Sequence, residues 1–429
     1  MGMGTTMPSY SQSIAKAILL GEKSENIIQR ALKTIRRHLG MDIAYFSQIV
    51  DDKAVLHRID APGLEHIVKV GDAFPLEDIY CGHVLEGRLP ELMPDTSAEP
   101  VAAAMPITRS FPAGANISIP VRLEDGSAYG MFCCVNREAK RSLNERDLEI
   151  MHVFADLVAE QVNDEVAHRL HENKRIACIE DIISEHRFHI IYQPIWAFRQ
   201  AKPIGFEALC RFEAKPARTP DIWFKEANAT GLGTDLELAA IGEAVRALPS
   251  FPGEAYLSFN ASPTTVLDDR LGQHLNGLPL ERLVLEMTEH APVDDYCALR
   301  QALDPLRKAG LRLAIDDAGA GYASLQHIVQ LAPDIIKLDM SLTRNVDSDP
   351  ARRALTAALI FFGHETGASI LAEGIETAGE LAMLETLGIG EGQGYLLGRP
   401  APLEASLEME SVTSGLIGDE PQATRKSAS

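Results

Sequence analysis

The 429-residue sequence has no apolar run approaching the ~20 residues a membrane-spanning helix needs. The stretch Ala15 to Leu20 is too short for a signal-peptide core, and nothing like a cleavage site follows it. Met1-Gly2 with Thr6 fits a myristoylation pattern, but no basic cluster or second lipid signal accompanies it, so it reads as chance. Basic residues are in deficit: 40 Lys and Arg face 61 Asp and Glu, a formal net charge of -21. Such a field repels polyphosphates and anionic surfaces, so neither duplex nucleic acid nor a membrane is an expected partner. A small anionic substrate stays open if bound cations reverse the local sign. Cysteine is scarce as well. Cys81, Cys133, Cys134, Cys178, Cys210 and Cys297 show no zinc-site spacing and read as free thiols in a reducing, cytoplasmic setting. Cys133 and Cys134 are neighbours in an apolar, strand-like run and should face opposite ways.

What is present is two textures. Residues 11–39 read as helix. Short apolar runs follow at Ile43–Val50, Val55–Ile59, His66–Val70, Asn116–Leu123 and Tyr129–Val135, with Asp125-Gly126 as a hairpin signal between the last two. Residues 71–112 look like a long loop with short helices. A small antiparallel sheet flanked by helices is expected. Asn144 caps a helix whose stripe of Ile150, Phe154, Leu157 and Val158 fades after Val162, which suggests a helical connector.

From about residue 176, strand-like runs alternate with amphipathic helices: Ile190–Ile195, Pro203–Cys210, Ala255–Ala261, Leu283–Thr288, Leu311–Asp316, Ile335–Leu338, Ser369–Ala372 and a Gly-rich eighth at Gly392–Leu397. Eight strands with helical crossovers predict an α/β fold, a (β/α)8 barrel. Only about seven residues separate the first two runs, too few for a parallel crossover, which takes about a dozen. They should form an antiparallel hairpin turning near Arg199-Gln200, with Gln193 level with Glu207. The tail from Gly415 is polar and expected to be disordered.

Chemistry-bearing residues gather at the C-terminal ends of these strands, the face that carries active sites in such barrels. They are Glu207 and Arg211, Asn260, Glu286 and Glu289, Asp316 and Asp317, Lys337 and Asp339, Glu373 and Glu376, and Gln393. Any one acid in so acidic a chain is ordinarily a solvated surface group. Lys337 in an apolar strand is different, because a buried lysine needs anionic partners. Carboxylates that crowd repel unless cations sit between them. Oxygen ligands of this kind select Mg²⁺ or Mn²⁺, and two such ions ~4 Å apart form a clamp for phosphodiester hydrolysis.

The segment Gly205-Phe206-Glu207-Ala208-Leu209-Cys210-Arg211 resembles the signature of the EAL phosphodiesterases. Around it, in the family's order, stand Tyr192-Gln193-Pro194, Asn260-Ala261-Ser262, Glu286-Met287-Thr288-Glu289, Asp316-Asp317, Lys337-Leu338-Asp339, Ala372-Glu373-Gly374-Ile375-Glu376 and Gln393-Gly394-Tyr395. The resemblance implies a TIM-like barrel with one antiparallel strand that hydrolyses cyclic di-GMP to linear pGpG. It implies that Glu207, Asn260, Glu286 and Asp316 hold one Mg²⁺ or Mn²⁺ ion, and that Asp316, Asp317 and Glu373 hold a second. It makes Lys337 the residue that orients the attacking water, Gln193, Arg211 and Gln393 substrate contacts, Glu289 an anchor for the loop after the fifth strand, and Asp339 and Glu376 supports. In that loop Ala318, Ala320 and Ala323 replace the family's usual Phe, Thr and Ser, a departure that touches regulation more than chemistry.

The first part resembles a GAF sensory domain through its strand order and connector helix. Cys81-Gly82-His83 resembles the Cys-His pair of bilin-binding relatives, but Gly82 intervenes, so an apolar or small-molecule pocket for an unidentified ligand, or a purely dimerising role, is expected rather than a chromophore. The expected division is a 1–19 N-terminal segment, a 20–143 GAF-like α+β domain, a 144–174 connector helix, a 175–408 EAL barrel and a 409–429 tail. A homodimer through the connector is expected. The competing expectation is a catalytically silent receptor for cyclic di-GMP.

Overall fold

The computed structural model describes residues 25–408 apart from 112, 289–292, 294 and 319–321. The expected N-terminal segment, the tail from 409, Glu289 and the loop residues Gly319 to Gly321 lie outside the described residues. The chain divides into two compact units, Met1–His171 and Glu172–Ser429. No described helix is long and apolar enough to cross a membrane.

The first unit is a six-stranded antiparallel sheet in the order β3-β2-β1-β6-β5-β4. Its strands are β1 (Ile43–Val50), β2 (Lys53–Asp60), β3 (Ala73–Pro75), β4 (Leu92–Met93), β5 (Ala115–Arg122) and β6 (Ala128–Asn136). The period of two along a strand divides the core between the two faces. Phe46, Ile117, Phe132 and Cys134 pack with Leu32 and Ile35 of helix Glu25–Leu39 and with Met151 and Val158 of helix Glu145–Ser184. Ile43, Met131 and Cys133 face the other way, against Cys81 and Val84 of helix Tyr80–Leu85. Cys133 and Cys134 thus point to opposite faces, as their adjacency predicts. The β5–β6 hairpin turns at Asp125-Gly126, where Gly126 has φ +83° and Asp125 accepts from Ser127 N at 2.9 Å.

The run His66–Val70 is not a strand. Ile67 and Val70 are exposed, and the third strand forms instead at Ala73–Pro75, beyond Gly71 with φ +93°. Helix Glu145–Ser184 is continuous for 40 residues, and its last turns bring Ile179 and Ile182 into a core cluster with Phe188 and Trp223.

The second unit is a closed barrel, β10-β11-β12-β13-β14-β7-β8-β9. Strands β7 (Phe188–Ala197) and β8 (Lys202–Phe212) form the antiparallel hairpin, with Gln193 paired to Glu207. The remaining strands are β9 (Tyr256–Asn260), β10 (Leu283–Thr288), β11 (Arg312–Ala318), β12 (Ile335–Leu338), β13 (Ser369–Ala372) and β14 (Glu391–Gly392). β14 is the shortest, and it joins β13 in parallel and β7 antiparallel. This is the modified TIM-like barrel with one antiparallel strand. Ile195, Tyr256, Val284, Ala314, Ile335 and Leu371 form one internal cluster. Leu257, Phe259, Leu283, Leu285, Leu313 and Ile336 belong to a second, packed beneath the helices.

Gly394 lets the segment after β14 close on its neighbour. A Cβ there would collide with the backbone N and O of Ile375, whose N donates to Gln393 O at 3.2 Å. Gly394→Ala is therefore expected to lower the unfolding free energy by ~1–3 kcal/mol, the range for overpacking. Urea denaturation reads this directly, and an unchanged midpoint would show that this approach is not tight.

Candidate active site

The alternation of each barrel strand sets the site. In parallel strands with the register found here, a residue two positions after an interior apolar one again points inward, toward the C-terminal mouth. Val284 is followed by Glu286, Ala314 by Asp316, Ile335 by Lys337 and Leu371 by Glu373. Glu207 lies on β8, paired with Ser258 of β9, and Asn260 ends β9 level with Glu286.

Lys337 is the centre of the cluster. Its side chain is 1% exposed, and Nζ lies 2.6 Å from Glu286 Oε2, 2.8 Å from Glu373 Oε1, 3.3 Å from Asp316 Oδ1 and 3.5 Å from Glu207 Oε1. Burial alone lowers a lysine pKa. Here Asp316, Glu207, Glu286 and Glu373 overcome that effect and hold the ammonium well above its usual range. The carboxylates show the converse. Burial pushes Glu286 up to about 8 against the pull of Lys337, with Glu207 and Asp316 adding repulsion. Glu373 is raised well above its ordinary value, again first by burial. One ammonium does not neutralise this many acids.

Asp316 and Asp317 are adjacent and would normally face opposite sides of the strand. The β11–β12 register shifts between Ile315 and Ala318, and Asp317 takes a left-handed φ of +57°. This conformation is uncommon outside glycine, though Asp tolerates it better than most residues. The outcome is that one ligand oxygen each from Asp316, Asp317 and Glu373 lie within 4.8 Å of one another. An all-oxygen, all-carboxylate set fits a hard divalent cation. Gln393 spans the cluster, donating from Nε2 to Glu207 Oε2 at 2.5 Å and to Glu373 Oε1 at 3.1 Å.

The other expected residues are placed differently. Asn260 and Arg211 line a cleft of about 1070 Å³, with Arg211 Nη1 donating to Cys210 O at 2.8 Å. Gln193 is buried, and its Nε2 donates to Gly398 O at 3.1 Å. Asp339 caps helix Met340–Thr343 through Ser341 N at 2.9 Å. Glu376 is exposed and paired with Arg344 at 2.5 Å. Glu289 lies outside the described residues.

Several contributors escaped the sequence reading. Lys225 and Asn228, on helix Pro220–Ala229, line the same cleft, and no motif marks them. Glu237 accepts from Ser262 N at 2.8 Å and so ties down the Asn260-Ala261-Ser262 segment. Buried Glu380 accepts from the backbone N of Asn345, Glu376 and Thr377 at 2.9, 2.9 and 3.0 Å. It thereby orders the loop that leaves Glu373. Its capping-box position three residues after Thr377 was the readable signal.

The barrel and its acidic mouth define a class, the TIM-like barrels with a carboxylate-lined mouth. The EAL domain model matches residues 177–400, and the GAF domain model matches residues 24–162. The chain belongs to the EAL family and carries an N-terminal GAF domain. It is 31% identical over 233 residues to the probable cyclic di-GMP phosphodiesterase PdeD of Escherichia coli, a match covering 52% of this chain and 43% of that protein. It is 30% identical over 234 residues to the cyclic di-GMP phosphodiesterase PA2567 of Pseudomonas aeruginosa, covering 51% and 39%. The matches thus span less than half the length of these relatives. Among solved structures, the PaMucR phosphodiesterase in complex with cyclic di-GMP is 28% identical and covers 55% of this chain and 100% of its own, with a TM-score of 0.50. The EAL enzyme Bd1971, at 19% identity and a TM-score of 0.54, covers 86% of this chain and shares the fold.

Removing Lys337 leaves the buried acids without their internal counter-ion. Lys337→Met is expected to lose ~3–5 kcal/mol of stability in the presence of a chelator, the cost of breaking a buried ion pair from one side. Added Mn²⁺ should restore part of it. Equal melting of variant and wild type in chelator would contradict the counter-ion role.

Proposed function

We propose that this protein hydrolyses cyclic di-GMP to linear pGpG at the barrel mouth, with its GAF domain as a sensory, regulatory unit. The observation that carries the reading is the crowding of Glu207, Glu286, Asp316 and Glu373 on Lys337, with Asp317 beside Asp316 and Glu373. Such a set is costly without cations and suited to them. Glu207, Asn260, Glu286 and Asp316 are assigned to one Mg²⁺ or Mn²⁺ ion, and Asp316, Asp317 and Glu373 to a second. Such ions supply polarisation of the phosphodiester and a more acidic water.

The chain's own groups divide the remaining work. Lys337 places positive charge where phosphate charge develops and orients the attacking water. Gln393 keeps Glu207 and Glu373 apart at fixed distance. Arg211 and Lys225 offer cationic contacts to the substrate along the cleft. The cleft volume of 1070 Å³ suits a large ligand. Hydrolysis adds water across one P–O3′ bond, leaving a 5′-phosphate and a 3′-hydroxyl. A silent receptor would be expected to lack a ligand or the lysine, and neither is missing here. A homodimer is the proposed working form. Val153 and Leu157, one helical turn apart and 59% and 50% exposed, offer a second copy an apolar strip.

Purified protein with Mn²⁺ and cyclic di-GMP is expected to yield pGpG by chromatography and mass spectrometry. Binding without product would favour the receptor, and absence of binding would remove both readings. Gln393→Ala should lower turnover by ~10–100-fold, as loss of a group orienting metal ligands does, and Glu207→Ala should exceed that loss. Activity of Glu207→Ala within a few-fold of wild type would overturn the ligand assignment.

A further inference from the structure

The first unit contains a cavity of about 220 Å³ on one face of its sheet. Ile43, Leu56, Phe74, Ile107, Phe111 and Val135 are among the apolar residues of its wall. Among the described residues lining it none is charged, and the side-chain polar atoms belong to Tyr45 and Tyr80. Both phenols are already engaged: Tyr45 Oη lies 3.2 Å from Cys81 Sγ, and Tyr80 Oη lies 2.6 Å from Thr108 Oγ1. Burial holds the Tyr45 phenol well above its ordinary pKa, so it stays neutral.

Each of these facts restricts an occupant. A buried water needs two to four polar partners, which this wall does not provide. An anion such as a nucleotide phosphate would find no charged side chain on this wall and only phenols that are already engaged. Apolar cavities of about 150 Å³ stay dry and accept benzene, so a space of 220 Å³ has room for roughly nine non-hydrogen atoms.

We propose that the GAF domain binds a neutral, predominantly hydrophobic small molecule of about this size in the cavity. The proposal rests on reading the domain as sensory, and it gives that reading a chemical class. The ligand is held by apolar contact rather than by ion pairs, and the wall offers the phosphate of a cyclic nucleotide no charged partner. Tyr45 leaves at most one weak polar contact to orient it.

Calorimetric titration of the full chain with indole, a neutral probe of nine non-hydrogen atoms, tests this separately from turnover at the barrel. Saturable binding is expected, with no competition from 3′,5′-cyclic AMP. Ala113→Leu and Ala54→Val each add side chain to the cavity wall. Either should weaken indole binding at least tenfold, with a melting temperature no lower than that of wild type and pGpG production retained. Absence of indole binding to the folded wild-type chain, equal binding by both folded variants, or displacement of indole by cyclic AMP would each overturn the proposal. Loss of pGpG production with indole binding intact would count against the phosphodiesterase reading alone.

Discussion

The Lys337 ammonium lies within 3.5 Å of four carboxylates, three on strands of one barrel and one just past the end of a fourth. Removed from water, neither partner is tolerable alone: the lysine would shed its proton, and the acids would take protons up. Held together, they fix each other's place, since moving any one carboxylate leaves a buried charge less well matched. The balance is incomplete, because burial still pushes Glu286 up to about 8 despite the lysine. The barrel mouth is thereby left with a residual demand for positive charge, which the proposed divalent cations would meet through the same oxygens.

The rest of the second unit serves that cluster. Inward positions of β10, β11, β12 and the segment after β13 supply an apolar residue below and an ionisable one above, so one file of the barrel is both core and site. The departure from regular alternation at Asp316-Asp317 brings two carboxylates of one strand close to Glu373. Gly394 permits a close backbone approach, and that approach aims Gln393 between Glu207 and Glu373. Glu380 spends its buried carboxylate on three backbone N–H groups, and that holds the β13 exit in place.

Strand positions were legible because buried parallel strands are apolar runs of definite length. Leu283–Thr288, Ile335–Leu338 and Ser369–Ala372 were readable to the residue. The β7–β8 hairpin followed from the shortness of its connection, and the level pairing of Gln193 with Glu207 followed from the turn. The GAF sheet was harder. His66–Val70 has strand-like composition, but nothing in local sequence says that Ala73–Pro75 pairs with β2 instead. In the site, the lysine announced itself by being in the wrong kind of strand. Lys225 and Asn228 did not, because a polar residue on a helix surface is the ordinary case until a fold puts a cleft beside it. The lining of the first unit's apolar pocket was not readable, since it is gathered from segments spread between Ile43 and Val135.

The carboxylates around Lys337 are proposed to form a cation site. Titration of metal-free protein with Mn²⁺, followed by electron paramagnetic resonance of the free ion in the presence of cyclic di-GMP, tests it most directly. Tight binding of two Mn²⁺ per chain is expected in the wild type, with loss of binding in Asp316→Asn, which lacks the carboxylate shared between both proposed ligand sets. Absence of bound Mn²⁺ in the wild type, or identical titrations for the two proteins, would contradict it.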